Sequence, residues 1–283
     1  MADRVAFYPG CSLKGTAKDY LMSTQGVCSL LGITLSELPD WTCCGASSAH
    51  SLDGWLAVKL PAWNLAAAAA LKLPLVTPCA ACYSRLKGAA GAIAGDPVLR
   101  GRIKEITGQD CGEVKVYHLL EYIMQNGYSE KIASLSGHKF KGIKIASYYG
   151  CLLSRPEEVT RMPEPEAPRI MDDLVRILGG SPVSWSMNTD CCGASLSLSS
   201  GAIVTGLVER ILDNAVRSGA DAVATACPLC QVNLEMRRGP KFKIPVYYFT
   251  ELLGLDMGDP ASIKALDYHL VDPFTLLKNR AVI

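Results

Sequence analysis

Charge is scarce in this sequence. Only 19% of its 283 residues are Asp, Glu, Lys or Arg, and the formal net charge is +1. With no basic excess and no Lys/Arg run, the chain offers no groove to a phosphate backbone, which argues against nucleic acid as a partner. Long apolar runs are missing too. The longest begins at Leu65 and is stopped by Lys72 and Pro74, far short of the roughly 20 residues a bilayer span requires. Met1 to Pro9 carries Asp3 and Arg4 ahead of a brief apolar run, which is unlike a signal or transit peptide, so a soluble, cytoplasmic protein is expected. Neither a C-x-x-C-x-x-C-x-x-x-C-P run nor a G-x-G-x-x-G after a strand is present. The chain therefore has no ferredoxin-type electron wire and no dinucleotide site of its own.

What the sequence has in quantity is apolar residues, 49% of the total, and twelve cysteines. The first predicts a large interior or interface. The second, in a chain without an export signal, argues against a disulfide framework, because cytosolic thiol buffers keep such pairs reduced. Cysteine density in that setting points to metal or to redox catalysis.

The second half of the chain repeats the first. RVAFYPGC at Arg4–Cys11 returns as KIASYYGC at Lys144–Cys151. TCCGAS at Thr42–Ser47 returns as DCCGAS at Asp190–Ser195, and LVTPCAACYSRL from Leu75 returns, at the same spacing, as VATACPLCQVNL from Val223. VKVYHLLEYI from Val114 resembles IPVYYFTELL from Ile244. Four blocks in one order mark a duplication, and a repeat decides the fold before any motif does. The polar, glycine-flanked stretch Ser136–Gly142 reads as the linker, which places the halves at 1–138 and 139–283.

Within each half, strand and helix signals alternate. Val5–Tyr8 and Ile143–Tyr149 read as short buried strands, each running into Gly-Cys, and Asp221–Ala226 as a strand delivering the chain to Cys227. Helices are expected at Thr16–Leu31, at Pro168–Leu178, and where Ile203, Val204, Leu207, Val208, Ile211 and Leu212 keep i, i+3, i+4 spacing. Such alternation implies an α/β fold with largely parallel sheets, right-handed crossovers and cysteines at strand ends.

Ten of the cysteines fall in the repeated blocks: Cys11, Cys43, Cys44, Cys79 and Cys82, then Cys151, Cys191, Cys192, Cys227 and Cys230. Each half offers a lone cysteine, a Cys-Cys-Gly and a C-x-x-C, one thiol more than a tetrahedral zinc site or a cubane cluster uses. A C-x-x-C at a helix start presents two sulfurs to free N–H groups and a positive dipole end, which favour thiolate. Gly45 and Gly193, after the adjacent pairs, permit the bend and close approach that such neighbours need.

This doubled C…CCG…CxxC pattern resembles the CCG-domain family, and a chain carrying two full copies is similar to the B subunits of heterodisulfide reductases. The resemblance covers nearly the whole chain. It implies two CCG domains related by a pseudo-twofold axis, each holding a noncubane [4Fe–4S] cluster: one on Cys11, Cys43, Cys44, Cys79 and Cys82, the other on Cys151, Cys191, Cys192, Cys227 and Cys230. It further implies reduction, or reversible formation, of a disulfide between the clusters, with electrons from a ferredoxin-like iron–sulfur subunit and a flavoprotein subunit beyond it. An alternative from the same family is an electron-transfer subunit of lactate, glycolate or glycerol-3-phosphate oxidation, passing electrons towards quinone. Two complete five-cysteine sets favour the reductase. A zinc-stabilised scaffold is the third reading, separable by the absence of colour.

The remaining candidates receive blander expectations. Cys28 aligns with Val175 in the repeat and is expected in the core, Cys111 has no counterpart and is expected as a loop thiol. His118, whose counterpart is Tyr248, is expected to pack and hydrogen-bond rather than to donate a proton to a leaving thiolate. His50 and His138 are expected at the surface, and Lys14, Arg85 and Arg155 as solvated side chains.

Overall fold

The computed structural model describes residues 3–46 and 49–283; Met1, Ala2 and the last residue of the first CCG block, Ser47, lie outside this description together with Ser48. Two four-stranded, all-parallel sheets form the frame. The first contains β1 (Asp3–Phe7), β2 (Ile33–Glu37), β3 (Leu75–Thr77) and β4 (Val116–His118), in the order β2-β1-β3-β4. The second contains β5 (Lys144–Tyr148), β6 (Ser181–Pro182), β7 (Ala222–Thr225) and β8 (Val246–Tyr248), in the order β6-β5-β7-β8. The orders are identical once the repeat is superposed, so the duplication legible in the sequence is a duplication of topology. The central strands β1, β3, β5 and β7 are short and apolar because helices cover both faces of a parallel sheet.

Most expected elements form, with shifted ends. The helix anticipated at Thr16–Leu31 forms at Lys18–Leu31, and a separate short helix, Gly10–Lys14, precedes it across a turn at Gly15. The helix anticipated from Pro168 begins at Ile170 and ends at Ile177, and the amphipathic segment runs Gly201–Arg217 with Val204, Val208, Ile211 and Leu212 buried. Val116–His118 and Val246–Tyr248 pass directly into helices Leu119–Gln125 and Phe249–Met257, whose Glu121 and Glu251 reach back to the N–H groups of His118 and Tyr248.

The halves dock reciprocally. Helix Gly10–Lys14, bearing Cys11, packs on helix Pro228–Met236, while helix Cys151–Ser154 packs on helix Ala80–Gly95. Each lone-cysteine helix thus leans on the C-x-x-C helix of the other half, as a pseudo-twofold relation demands. Helix Lys18–Leu31 also lies against helices Phe249–Met257 and Pro260–Ala265. The connecting stretch is tied to the second half: Gly137 N–H and Lys139 N–H both donate to the Asp256 carboxylate, and Phe140 is buried.

Candidate iron–sulfur site

Parallel strands that share a direction bring their carboxyl ends to one edge, where α/β proteins bind ligands. Cys11 follows β1, Cys43 and Cys44 lie in the loop after β2, and Cys79 and Cys82 follow β3; the second half repeats this after β5, β6 and β7. Tyr8 and Tyr148, at the ends of β1 and β5, donate their hydroxyls to the carbonyls of Thr42 (2.8 Å) and Asp190 (2.6 Å). Those carbonyls immediately precede the Cys-Cys pairs. A buried tyrosine therefore anchors the same loop in each half, and its presence in both copies of the first block was the signal available in the sequence.

Two glycine positions make room. Gly45 and Gly193 stand at φ of 74° and 76°, and their N–H groups donate to the sulfurs of Cys43 (3.4 Å) and Cys191 (3.3 Å). Gly10 and Gly150 lie so near the C-x-x-C that an added Cβ would sit 3.2 Å from Cys82 Sγ and 3.1 Å from Cys230 Sγ. A side chain there would occupy the space the sulfurs share.

All five sulfurs of each set are in electrostatic or hydrogen-bond range of another member. Cys44 Sγ is 3.1 Å from Cys82 Sγ, while Cys44 and Cys11 bear on the protonation of Cys43, and Cys82 on that of Cys79. In the second set Cys192 Sγ is 3.5 Å from Cys230 Sγ, while Cys191 bears on the protonation of Cys151, and Cys230 on that of Cys227. Cys44, Cys79, Cys82, Cys192, Cys227 and Cys230 form buried floors, whereas Cys11, Cys43 and Cys191 are exposed. The two sets also approach each other at the seam: Cys79 and Cys227 lie near enough to act on one another's protonation, and the carbonyls just before them, of Pro78 and Ala226, both face His118 Nε2.

Crowded thiols split into donors and acceptors. The S–H groups of Cys43 and Cys82 hold Cys44 down to about 3, and the S–H of Cys151, helped by Gly193 N–H, holds Cys191 down to about 6. Cys227 is lowered by Cys230 and Cys79, whereas Cys82 is raised by the thiolate it serves and Cys43 chiefly by Cys44. Soft, partly deprotonated sulfur donors in a pocket with a buried floor suit an iron–sulfur cluster.

The other candidates sort clearly. Cys28 is buried in the core as expected. Cys111 lies in a loop as expected, and that loop is folded inward: the thiol is 1% exposed, with its Sγ 3.9 Å from Ala62 O. His50 and His138 are exposed, while Lys14 pairs with Glu37 and Arg155 with Glu166. His118 is wholly buried; its Nδ1 accepts from Leu120 N–H (3.1 Å), and its Nε2 faces the carbonyls of Pro78 (2.9 Å) and Ala226 (3.0 Å). Carbonyls only accept, so Nε2 carries the proton and the ring is neutral. Burial also pushes its pKa down. The packing role expected of it is the one observed.

Sequence reasoning passed over His269. Its buried imidazole stands between Glu235 (3.0 Å to Nδ1) and Glu251 (3.0 Å to Nε2), with Asp19 of the first half close by. These residues are far apart in the chain and share no motif, so no local signal could have found them.

Fold and site together define a class: a duplicated α/β protein with a five-cysteine set at the carboxyl edge of each parallel sheet. The model of the CCG cysteine-rich domain matches residues 5–87 and again 145–235, and the chain belongs to that family. Over 96% of its length it is 29% identical to the 8-methylmenaquinol:fumarate reductase membrane anchor subunit of Wolinella succinogenes, covering 98% of that protein. It is 26% identical to the B subunit of the ferredoxin:CoB-CoM heterodisulfide reductase of Methanosarcina mazei, over 90% of each chain. To an Archaeoglobus profundus protein described as like the B subunit of heterodisulfide reductase it is also 26% identical, over 93% of this chain and 94% of that one. Among solved structures, a hypothetical protein from Helicobacter pylori superposes with a TM-score of 0.74 at 13% identity, over 95% of this chain. The chain spans about half of that protein's length, 52%, and the likeness shows the fold alone. No helix among the described residues is long and apolar enough to cross a membrane.

Proposed function

We propose that the chain is the disulfide-acting iron–sulfur subunit of a heterodisulfide reductase-like complex. Cys11, Cys43, Cys44, Cys79 and Cys82 would hold one noncubane [4Fe–4S] cluster, and Cys151, Cys191, Cys192, Cys227 and Cys230 the other, with the halves dividing at 138/139. When bound, two such clusters supply one electron each, which matches the two electrons that cleaving a disulfide takes. The observation that carries this reading is the approach of the two cysteine sets at the seam, where His118 Nε2 lies 2.9 Å from the carbonyl before Cys79 and 3.0 Å from the carbonyl before Cys227. The neighbouring thiols Cys230 and Cys79, together with the free N–H groups at the start of helix Pro228–Met236, favour thiolate at Cys227. Exposed Cys11, Cys43 and Cys191 leave each set open on its outer side, where a substrate sulfur has access. Neutral His118, donating to two carbonyls, has no proton to give a leaving thiolate. Electrons would come from a ferredoxin-like subunit, fed by a flavoprotein subunit.

Anaerobically purified protein should be brown and contain about eight iron and eight sulfide per chain, four of each per cluster. Cys230→Ser should remove about half of the iron, keep the visible spectrum of the remaining cluster and abolish disulfide-dependent reoxidation of the dithionite-reduced protein. Colourless, iron-free protein, or a fully active C230S, would sink the proposal.

A second reading is favoured by the relative from the methylmenaquinol-dependent reductase: an electron-transfer subunit passing electrons between a partner and a quinone. Reduced protein that is reoxidised by a short-chain menaquinone analogue and ignores every disulfide offered would decide for it.

A further inference from the structure

We propose that His118 is a positioning residue that clasps the two halves at the cysteine seam, using one N–H shared between the carbonyls preceding Cys79 and Cys227. The proton sits on Nε2 because Nδ1 is committed to accepting from Leu120 N–H. From Nε2 the bond forks to Pro78 O at 2.9 Å in its own half and to Ala226 O at 3.0 Å in the other. Each carbonyl belongs to the residue just before the first cysteine of a C-x-x-C, so the fork sets the distance between the two strand-to-helix turns. The thiols those turns deliver, Cys79 and Cys227, directly follow the two clasped carbonyls and face each other across the seam.

The surroundings keep the ring from moving. Tyr83 packs edge-on at 5.8 Å, and Phe249 of the second half lies 6.3 Å away. The repeat breaks its symmetry here for a physical reason. Near a twofold axis there is room for one ring donating to both halves, and Tyr248, the counterpart, instead stacks on Tyr20 at 3.9 Å with ring planes 5° apart. Tyr20 in turn donates its hydroxyl to Pro78 O (2.8 Å). Pro78 O thus keeps a donor without His118, whereas Ala226 O receives no side-chain donor but His118 among the described residues. Removing the imidazole N–H should therefore release the second half's turn from the first. The clasp rests on the hydrogen bonds alone and not on the cluster reading.

The test uses the full chain, metal-free and reduced, in a C82S/C230S background that leaves Cys79 and Cys227 as the only thiols in their tryptic peptides. Diamide takes two electrons and two protons from the pair as the disulfide forms, and mass spectrometry follows the linked peptide. His118→Phe, which keeps a ring and loses the donor, should slow linkage about tenfold, as expected for losing a buried hydrogen bond. His118→Gln, whose amide N–H reaches the Nε2 position, should link within about twofold of the parent. Should H118F fail to fold, His118→Asn, whose shorter amide cannot span the fork, takes its place in the comparison. Linkage at the parental rate in a folded H118F or H118N, or equal loss in H118Q, would overturn the proposal. A chain that links as expected yet never binds iron would leave the clasp standing and remove the cluster reading.

Discussion

At the scale of single residues, the glycines after the Cys-Cys pairs carry consequences that differ between the halves. A Cβ on Gly45 would come within 2.8 Å of Ala49 Cβ, which has no rotamer to yield, whereas on Gly193 it would meet the movable Leu207 Cδ1 at 3.0 Å. Both also stand at positive φ, a conformation that costs a non-glycine residue about 1–3 kcal/mol. Gly45→Ala should therefore lower thermal stability more than Gly193→Ala, and the order should be reproduced in iron content after anaerobic reconstitution; equal losses would contradict the packing argument. The ten cysteines were legible because chemistry and repetition coincide in them: the same five thiols recur at matched places. The repeat also identified Cys28 correctly, by giving it an apolar counterpart. It could say nothing of the burial of Cys111, which has no counterpart: the thiol lies in a loop as expected, but that loop folds inward over Ala62. His269 was illegible for a different reason, since Asp19, Glu235 and Glu251 come from three separate helices.

At the scale of elements, alternation of strand and helix signals was enough to predict parallel sheets and the edge on which the cysteines gather. Helix ends were less legible. The turn at Gly15 and the start at Ile170 depend on what the first turns pack against, not on propensity alone. Tertiary packing also governs Gly26, in the middle of helix Lys18–Leu31. A helix-interior glycine is ordinarily improved by alanine, by roughly 0.5–1 kcal/mol. Here an added Cβ would lie 2.1 Å from Asp259 Oδ2, and that carboxylate is not free to swing away. It caps helix Pro260–Ala265, accepting from Ser262 N–H (2.9 Å) and Ser262 Oγ–H (2.6 Å). Gly26→Ala should accordingly destabilise by about 1–3 kcal/mol, the usual cost of overpacking. Chemical denaturation measures it, and a neutral or stabilising result would mean that the two helices have more slack than their contact implies.

At the scale of the whole molecule, the halves are joined by polar groups that only the folded chain assembles. The C-x-x-C turns meet beside His118, and on the same interface Asp19 of the first half faces Glu251 and His269 of the second. Burial opposes a charge on His269, but the carboxylates of Glu251 and Glu235 outweigh it and push its pKa from the ordinary 6.5 up to about 11. Folding therefore takes up a proton at this site. Its stabilising contribution is complete below about pH 6.5, declines as pH rises, and is gone above about 11. Asp19, raised by burial and by Glu251 from 3.8 to about 6, acts in the same direction at lower pH: stability falls as its carboxyl loses the proton. His269→Gln would leave buried carboxylates facing one another without the cation, a change that costs on the order of 3–5 kcal/mol when one partner of a buried pair is removed. The loss should be largest near pH 6 and shrink steadily towards pH 10, as the native protein gives up the proton that the variant never had. Urea unfolding of both proteins across that range tests the argument. A difference independent of pH would show that His269 contributes packing alone, and that the interface is held without its charge.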